Sequence, residues 1–235
     1  MTFTRKLFKP ARALGLVLVM VVSVIPFAGS SLPKLPDAGK VDQIGAFTDA
    51  AGSEALKKTL EPKGYRVTET DGNVHCEIWL RASIANGKND AQGAAYTRIS
   101  DSALIAVITF PKATRDFRRQ PLKAGTYTLR YAVHPQDGNH IGISPIRDFL
   151  LLVPIADDQN PETKFSFEDL SKLSKKASGT NHPAPLSLVS AEGITTWPSV
   201  LEDENGHLVF AGKLKTDGAV ELPIAFVIKG VVLEQ

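Results

Sequence analysis

Apolar and polar residues alternate along most of the chain after Tyr65, which is the pattern of half-buried strands. Turn residues such as Asp71-Gly72-Asn73 separate the alternating runs. The pattern predicts nine strands: Tyr65–Thr68, Val74–Leu80, Ala94–Ile99, Leu104–Phe110, Thr126–His134, Ile146–Val153, Leu186–Ser190, His207–Leu214 and Val220–Ile228. Short strands at this spacing are typical of an all-β antiparallel sandwich.

Two segments carry helical signals instead. A short helix is predicted over Ser53–Leu60, with Ser53 as its N-cap and a Pro-Lys-Gly sequence ending it. A second helix is predicted over Phe167–Ser178. Ser166 and Asp169 have the spacing of a capping box, and Gly179 suits the left-handed residue that follows a helix.

The N-terminus has a different pattern. Four basic residues in the first twelve positions precede an apolar run over Leu14–Phe27, and Ala28-Gly29-Ser30-Ser31 follows. The apolar run is shorter than the ~20 residues of a membrane-spanning helix, and this order is that of a secretory signal peptide. We predict a signal peptide over residues 1–29, cleaved between Ala28 and Ser31, with an uncleaved signal anchor as the alternative. The mature protein is then periplasmic or secreted and has no membrane span.

The rest of the chain is predicted to hold one domain. Residues 30–64 are rich in Pro, Gly and Asp and are expected to form an extended and helical lead-in. Residues 65–235 are expected to form a single β-sandwich with a helical insertion near 166–179, since sandwiches reach this size without dividing.

Removing the leader changes the charge of the protein. The full chain has 27 Lys and Arg against 25 Asp and Glu, and four of the basic residues lie in the leader, so the mature chain has 23 against 25, a net charge of −2. The small cluster of Lys172, Lys175 and Lys176 falls in the last turn of the second predicted helix, where cations complement the helix dipole. We therefore expect no nucleic-acid partner, because binding phosphates requires clustered basic residues.

Cys76 is the one cysteine, so no disulfide can form within the chain. It lies far from the cleavage region and cannot receive a lipid anchor at the mature N-terminus. It shares the apolar face of its predicted strand with Ile78 and Leu80, which indicates a buried and inert thiol.

The candidate site with the most specific chemistry is a loop. His134, Asp137 and His140 place two imidazoles and a carboxylate within seven residues, a set that suits Cu(II), Zn or Ni. An ordinary polar hairpin loop is the alternative, since Asp-Gly is itself a strong turn signal.

The register of the hairpin bears on this choice. A two-residue turn at Asp137-Gly138 would place His134 and His140 on opposite faces and prevent chelation. It would also turn Ile141 and Ile143 outward and Asp148 inward, against the apolar pattern. We therefore expect a longer or bulged loop over Pro135–Pro145, which can bring both imidazoles together.

The residues around this loop resemble a known family. A proline-containing turn at Pro121, the strand Gly125-Thr126-Tyr127-Thr128, the loop with Asp137-Gly138 and His140, and the apolar strand Phe149–Val153 resemble the last hairpin of periplasmic copper-resistance C-type domains. The resemblance covers about 33 of the 235 residues. It implies an Ig-like antiparallel β-sandwich, to which the chain adds the two short helices predicted above, and it places the loop carboxylate and imidazole of the family on Asp137 and His140. Copper is the cofactor that it implies.

In this chain Asn139 stands between the Asp-Gly pair and the histidine of that loop. The family also binds copper through a histidine at the mature N-terminus, whereas the first histidine after the leader here is His75.

Other candidate sites have structural alternatives. Ser178 and His182 lie close enough to suggest a hydrolase, but their spacing also matches a helix C-cap, and the chain has no Gly-x-Ser-x-Gly sequence. Trp79 and Trp197 are candidates for stacking a glycan, with packing in the core as the alternative. We therefore interpret the protein as a non-enzymatic binding module for an unidentified protein, glycan or metal ligand. A metal-binding protein using the loop is the alternative, and a hydrolase is a second one.

Overall fold

The computed structural model describes residues 38–89, 93–134 and 146–230. The strands in these ranges are β1 (Gly39–Ile44), β2 (Gly64–Glu69), β3 (Val74–Leu80), β4 (Leu104–Phe110), β5 (Thr114–Arg115), β6 (Pro121–Leu122), β7 (Gly125–Val133), β8 (Asp148–Pro154), β9 (Pro185–Val189), β10 (Ser199–Glu202), β11 (Leu208–Lys215) and β12 (Glu221–Lys229). The helices are α1 (Glu54–Thr59) and α2 (Phe167–Ser178), and a 3-10 turn covers Ile155–Asp157.

Ten of these strands form one antiparallel sheet, in the order β1-β2-β3-β4-β7-β8-β9-β12-β11-β10, while β5 and β6 pair separately. The sheet curls until its two edge strands approach, and the Ala38 amide donates a hydrogen bond to the Val200 carbonyl at 3.4 Å. Side chains from the two halves meet in one core, where the rings of Tyr65 and Phe210 are 5.9 Å apart. The prediction of an all-β antiparallel fold with two short helices is confirmed, with a continuous sheet around one core.

Strand β4 is buried on both faces, as its apolar sequence requires. Ile108 and Phe110 point into the main core. Val107 points to the opposite side, where it packs in a second cluster with Trp79 and with Leu56 of α1. This strand therefore fixes the middle of one half of the sheet.

Both helices begin at the predicted caps. Ser53 Oγ accepts a hydrogen bond from the Leu56 amide, and Ser166 Oγ accepts one from the Asp169 amide. Gly179 ends α2 in the left-handed conformation, with φ +68°. Leu170 of α2 packs on the outer face of β8, so the helix covers that part of the sheet.

Three parts of the sheet differ from the prediction. Residues 94–99 are not a strand, because the Asp148 carboxylate accepts the Ala95 and Tyr96 amides at 2.8 and 2.9 Å in place of a neighbouring strand. Strand β1, within the predicted lead-in, and strand β10 were not predicted. Strand β1 lies on an edge of the sheet, and its mixed polar sequence has no clear alternation of apolar and polar residues, so the pattern did not predict it.

Arg130 of β7 lies on the opposite face from the core residues Leu129 and Tyr131, yet it is buried, with 1% of its surface exposed. Its guanidinium pairs with the Asp158 carboxylate through two hydrogen bonds of 2.7 and 2.8 Å. The remaining N–H groups donate to the main-chain carbonyls of Ser102, Asn160, Pro161 and Thr163. The residues after β8 fold back over this side of β7 and bury Arg130. The alternation of apolar and polar residues along β7 cannot predict that cover.

We predict that Arg130→Met lowers the free energy of unfolding by about 3–5 kcal/mol, because it leaves the Asp158 carboxylate buried without its partner. Urea denaturation followed by circular dichroism measures the change. The double variant Arg130→Met/Asp158→Leu should recover part of the loss. Lys213→Met, which removes the cation of the exposed Lys213–Glu221 pair, is the control and should have little effect. Equal losses of stability in Arg130→Met and Lys213→Met would contradict the prediction.

Candidate functional site

His134 directly follows β7 and is the one member of the predicted metal set that lies within the described residues. Its ring stacks on Phe149, with the ring centroids 4.0 Å apart and an angle of 25° between the planes. Its amide donates to the Arg147 carbonyl at 2.9 Å, and the Arg147 guanidinium donates to the His134 carbonyl. Asp137, His140 and the predicted loop over 135–145 lie outside the described residues.

His134 shares a small cavity with His182. This cavity of about 80 Å³, here called the His134 cleft, is lined by Arg118, His134, Phe149, Phe167, His182, Pro183 and Pro185. The described residues contain no group of three or more His, Cys, Asp or Glu side chains arranged to hold a metal ion. His182 and His134 are distant along the chain, so their positions in the sequence give no sign that they meet.

A larger cavity lies on the other side of Phe167. This Phe167 pocket has a volume of about 370 Å³ and is lined by Asp101, Ser102, Tyr131, Ala132, Val133, Phe165, Ser166, Phe167 and Leu170. Phe167 is the first residue of α2 and is 42% exposed, which is unusual for a phenylalanine. The pocket was not predicted; in the sequence, only the aromatic residue directly after the capping Ser166 could have pointed to it.

The walls of the Phe167 pocket are held in place by hydrogen bonds beneath them. The Phe165 amide donates to Ser102 Oγ at 2.9 Å, and the Phe165 ring lies 5.3 Å from the Arg130 guanidinium. Ser102 itself has a φ of +63°, a conformation that non-glycine residues rarely adopt. The network around Arg130 therefore also fixes the shape of the pocket.

Most polar groups in the Phe167 pocket are already occupied. The Tyr131 hydroxyl donates to the Asp148 carboxylate at 2.5 Å, and the Ser166 hydroxyl caps α2. Asp101 is exposed and accepts a hydrogen bond from Asn89 Nδ2 at 3.0 Å, which leaves carboxylate lone pairs for another donor. The pocket therefore presents an apolar surface beside one carboxylate.

A third cavity has an ionic lining. This His75 cleft has a volume of about 390 Å³, and its polar side chains are those of Glu69, Asp71, Asn73, His75, Lys112, Thr114, Arg115 and Lys229. The lining of this cleft includes Lys112, which follows the last residue of β4, Phe110. The lining of the Phe167 pocket includes Ser102, which precedes the first residue of β4, Leu104. The two cavities are therefore at opposite ends of β4.

His75 is buried at the base of this cleft between two acceptors. Its Nδ1 is 3.0 Å from a Glu69 carboxylate oxygen, and its Nε2 is 3.0 Å from the Ile228 carbonyl oxygen. Burial lowers the pKa of His75, although the hydrogen bond to Ile228 and the charge of Glu69 favour the protonated ring. The imidazole links the ends of β2 and β3 to the end of β12.

The hydroxyl and thiol candidates have structural roles. Ser178 Oγ donates to the main-chain carbonyl of His182 at 2.7 Å, and the Gly179 amide caps α2 by donating to the Lys175 carbonyl at 2.9 Å. Cys76 is fully buried, and burial raises the pKa of its thiol well above the usual value.

The two tryptophans do not form a common platform. Trp79 is buried against Phe47 and donates to the Gly45 carbonyl, whereas Trp197 packs in a separate cluster near Val209. Neither arrangement provides the paired exposed faces of the predicted glycan site.

Comparisons with protein-family models, with curated proteins and with solved structures gave no match. Neither helix in the described ranges has the length and hydropathy needed to cross a membrane.

We predict that the low pKa of His75 makes stability depend on pH. As the pH falls through the range near about 6.5, a histidine in the unfolded chain takes up a proton more readily than buried His75, whose pKa is lowered, so the free energy of unfolding falls with pH. Urea denaturation at several values from pH 7.5 to 5.5 measures this loss. His75→Gln should show a smaller loss than the wild type over the same range. A His75→Gln variant with the full pH dependence would refute the assignment.

Proposed function

We propose that the protein is an exported, non-enzymatic binding module and that the Phe167 pocket binds a small molecule with an apolar body. The observation that carries this proposal is the pocket itself. Its volume of about 370 Å³ lies in the range of small-molecule sites, and aromatic and aliphatic side chains line most of it. The N-terminal signal-peptide pattern supports export to the periplasm or the medium.

The side chains that line the Phe167 pocket limit the class of ligand that it can bind. Phe165, Phe167 and Val133 offer apolar contacts, and Asp101 offers a carboxylate at the edge. A ligand with an apolar ring or chain and one hydroxyl or ammonium donor matches this arrangement, because the donor can reach the carboxylate while the apolar part leaves water.

The state of the candidate nucleophiles supports binding over catalysis. A nucleophile requires a general base within hydrogen-bond reach or a lowered pKa. The Ser178 hydroxyl contacts main-chain carbonyls, and the pKa of Cys76 is raised. Both groups therefore lack the activation that a hydrolase needs.

The first test uses N-phenyl-1-naphthylamine, a neutral aromatic probe whose fluorescence rises in apolar sites. We expect saturable binding to the wild type and a dissociation constant about tenfold higher for Phe167→Ala, since one aromatic contact contributes about 1.4 kcal/mol. Fluorescence titration of the mature protein measures both constants.

Val220→Ala is the matched control, because Val220 is also an exposed apolar residue, 46% exposed, and does not line the pocket. It should bind the probe like the wild type. Absence of saturable binding, or equal losses in the two variants, would argue against the Phe167 pocket.

A second candidate function is transition-metal binding through His134, Asp137 and His140. The specific observation in its favour is that His182 also lines the His134 cleft, so two histidines border one cavity. Imidazole and carboxylate groups are suitable ligands for Cu(II). With few protein ligands and an open position, such a site would suit a carrier or a sensor.

For this candidate we expect metal-stripped protein to bind one Cu(II), and we expect His140→Ala to weaken binding at least tenfold. His207→Ala is the control, because His207 does not line the His134 cleft. Its ring nitrogen Nδ1 lies 2.8 Å from the Asp203 carboxylate. Calorimetry and electron paramagnetic resonance measure the binding. Affinity should fall as the pH drops through about 6.5, since only neutral imidazole is a ligand. Copper binding that His140→Ala leaves unchanged would exclude the loop.

A further inference from the structure

The His75 cleft lies at the far end of β4 from the Phe167 pocket and has a different chemistry. The ends of β2, β3 and β12 surround it, together with the segment that leads from β4 into β5. Three basic side chains, Lys112, Arg115 and Lys229, face two carboxylates, Glu69 and Asp71. Which of these charges is already neutralised decides what the cleft can bind.

Both carboxylates are occupied by groups of the protein. Glu69 accepts Lys229 Nζ on one oxygen at 2.5 Å, and its other oxygen lies 3.0 Å from the His75 ring. Asp71 accepts the amide and the side-chain nitrogen of Asn73 at 2.8 and 2.7 Å. These bonds lower the pKa of Asp71, with smaller contributions from Lys229 and Lys112, and they hold its carboxylate in the turn between β2 and β3.

The other two basic groups contact only neutral acceptors within the described residues. Lys112 Nζ donates to the side-chain oxygen of Asn73 at 3.4 Å, a long hydrogen bond. Arg115 Nη1 donates to the Arg119 carbonyl at 3.0 Å, and the rest of its planar donor set has no partner in the described ranges. Asp71 keeps its negative charge in its bonds to Asn73 and interacts with Lys112 and Lys229, so the three basic side chains exceed the two carboxylates of the described lining by one positive charge.

We infer that the His75 cleft binds a small organic anion through a terminal carboxylate or phosphate group held by Lys112 and Arg115. The guanidinium can donate two parallel hydrogen bonds to such an oxyanion, and the ammonium adds a second charge-assisted bond. The cleft volume of about 390 Å³ leaves room for an organic part beside Asn73 and the edge of β3. This site is independent of the Phe167 pocket.

The experiment is calorimetric titration of the mature protein with sodium phosphate and, separately, with sodium succinate, at constant ionic strength and pH 7. We expect saturable binding of at least one of the two anions. Arg115→Gln and Lys112→Gln should each weaken it by about tenfold, and added salt should weaken it further. The two titrations distinguish a phosphate-type from a carboxylate-type ligand.

The matched control is Arg98→Gln, because the Arg98 side chain also donates to a neutral acceptor, Asn86 Oδ1 at 3.1 Å, but lies outside the cleft. It should bind like the wild type, as should Phe167→Ala. Amide chemical shifts of Asn73 and Thr114 on titration provide a second readout that needs no variant. If neither anion binds saturably, if Arg115→Gln binds as tightly as Arg98→Gln, or if the shifts lie elsewhere, the inference is wrong.

Discussion

The ion pair of Arg130 and Asp158 is the interaction on which the outer layer of the molecule depends. Arg130 projects from the outer side of β7, and a buried guanidinium is tolerated only when a carboxylate and enough acceptors surround it. Its hydrogen bonds to the carbonyls of Asn160, Pro161 and Thr163 hold the chain after β8 over β7. Helix α2 begins directly after this segment, so the same network determines where Phe167 lies.

The near-closed sheet determines where binding chemistry can occur. Its inner face is filled by one apolar core, and β4 is covered on both faces, so cavities form where strands end and connections begin. At one end of β4 the neighbouring segments supply aromatic side chains and one carboxylate. At the other end they supply an ionic set around His75. One scaffold therefore carries two clefts of unlike polarity, each built from separate connections.

Local signals in the sequence account for the parts of the fold that were predicted correctly. Helix α2 has its predicted bounds because Ser166 and Gly179 define its ends through their own backbone contacts. Strands β3 and β4 likewise have their predicted bounds. Residues 94–99 alternate equally well but bond to Asp148, whose position depends on the register of β8 with β7. Apolar alternation indicates which residues can form a strand. Which acceptor their amides then bond to depends on the tertiary structure.

The same distinction explains which parts of the candidate sites were accessible from sequence. His134, Asp137 and His140 stood out because they are close along the chain, whereas His182 reaches the His134 cleft only through the fold. Glu69, His75 and Lys229 likewise come from three strands, and only pairing within the curled sheet brings them into contact. Charge counts could not identify Lys112 and Arg115 either, since the net charge of the whole chain, +2, does not show where positive charge is locally in excess. In the described part of the chain neither cation donates a hydrogen bond to a carboxylate, because Glu69 bonds to His75 and Lys229 and Asp71 bonds to Asn73; these contacts exist only in the folded protein.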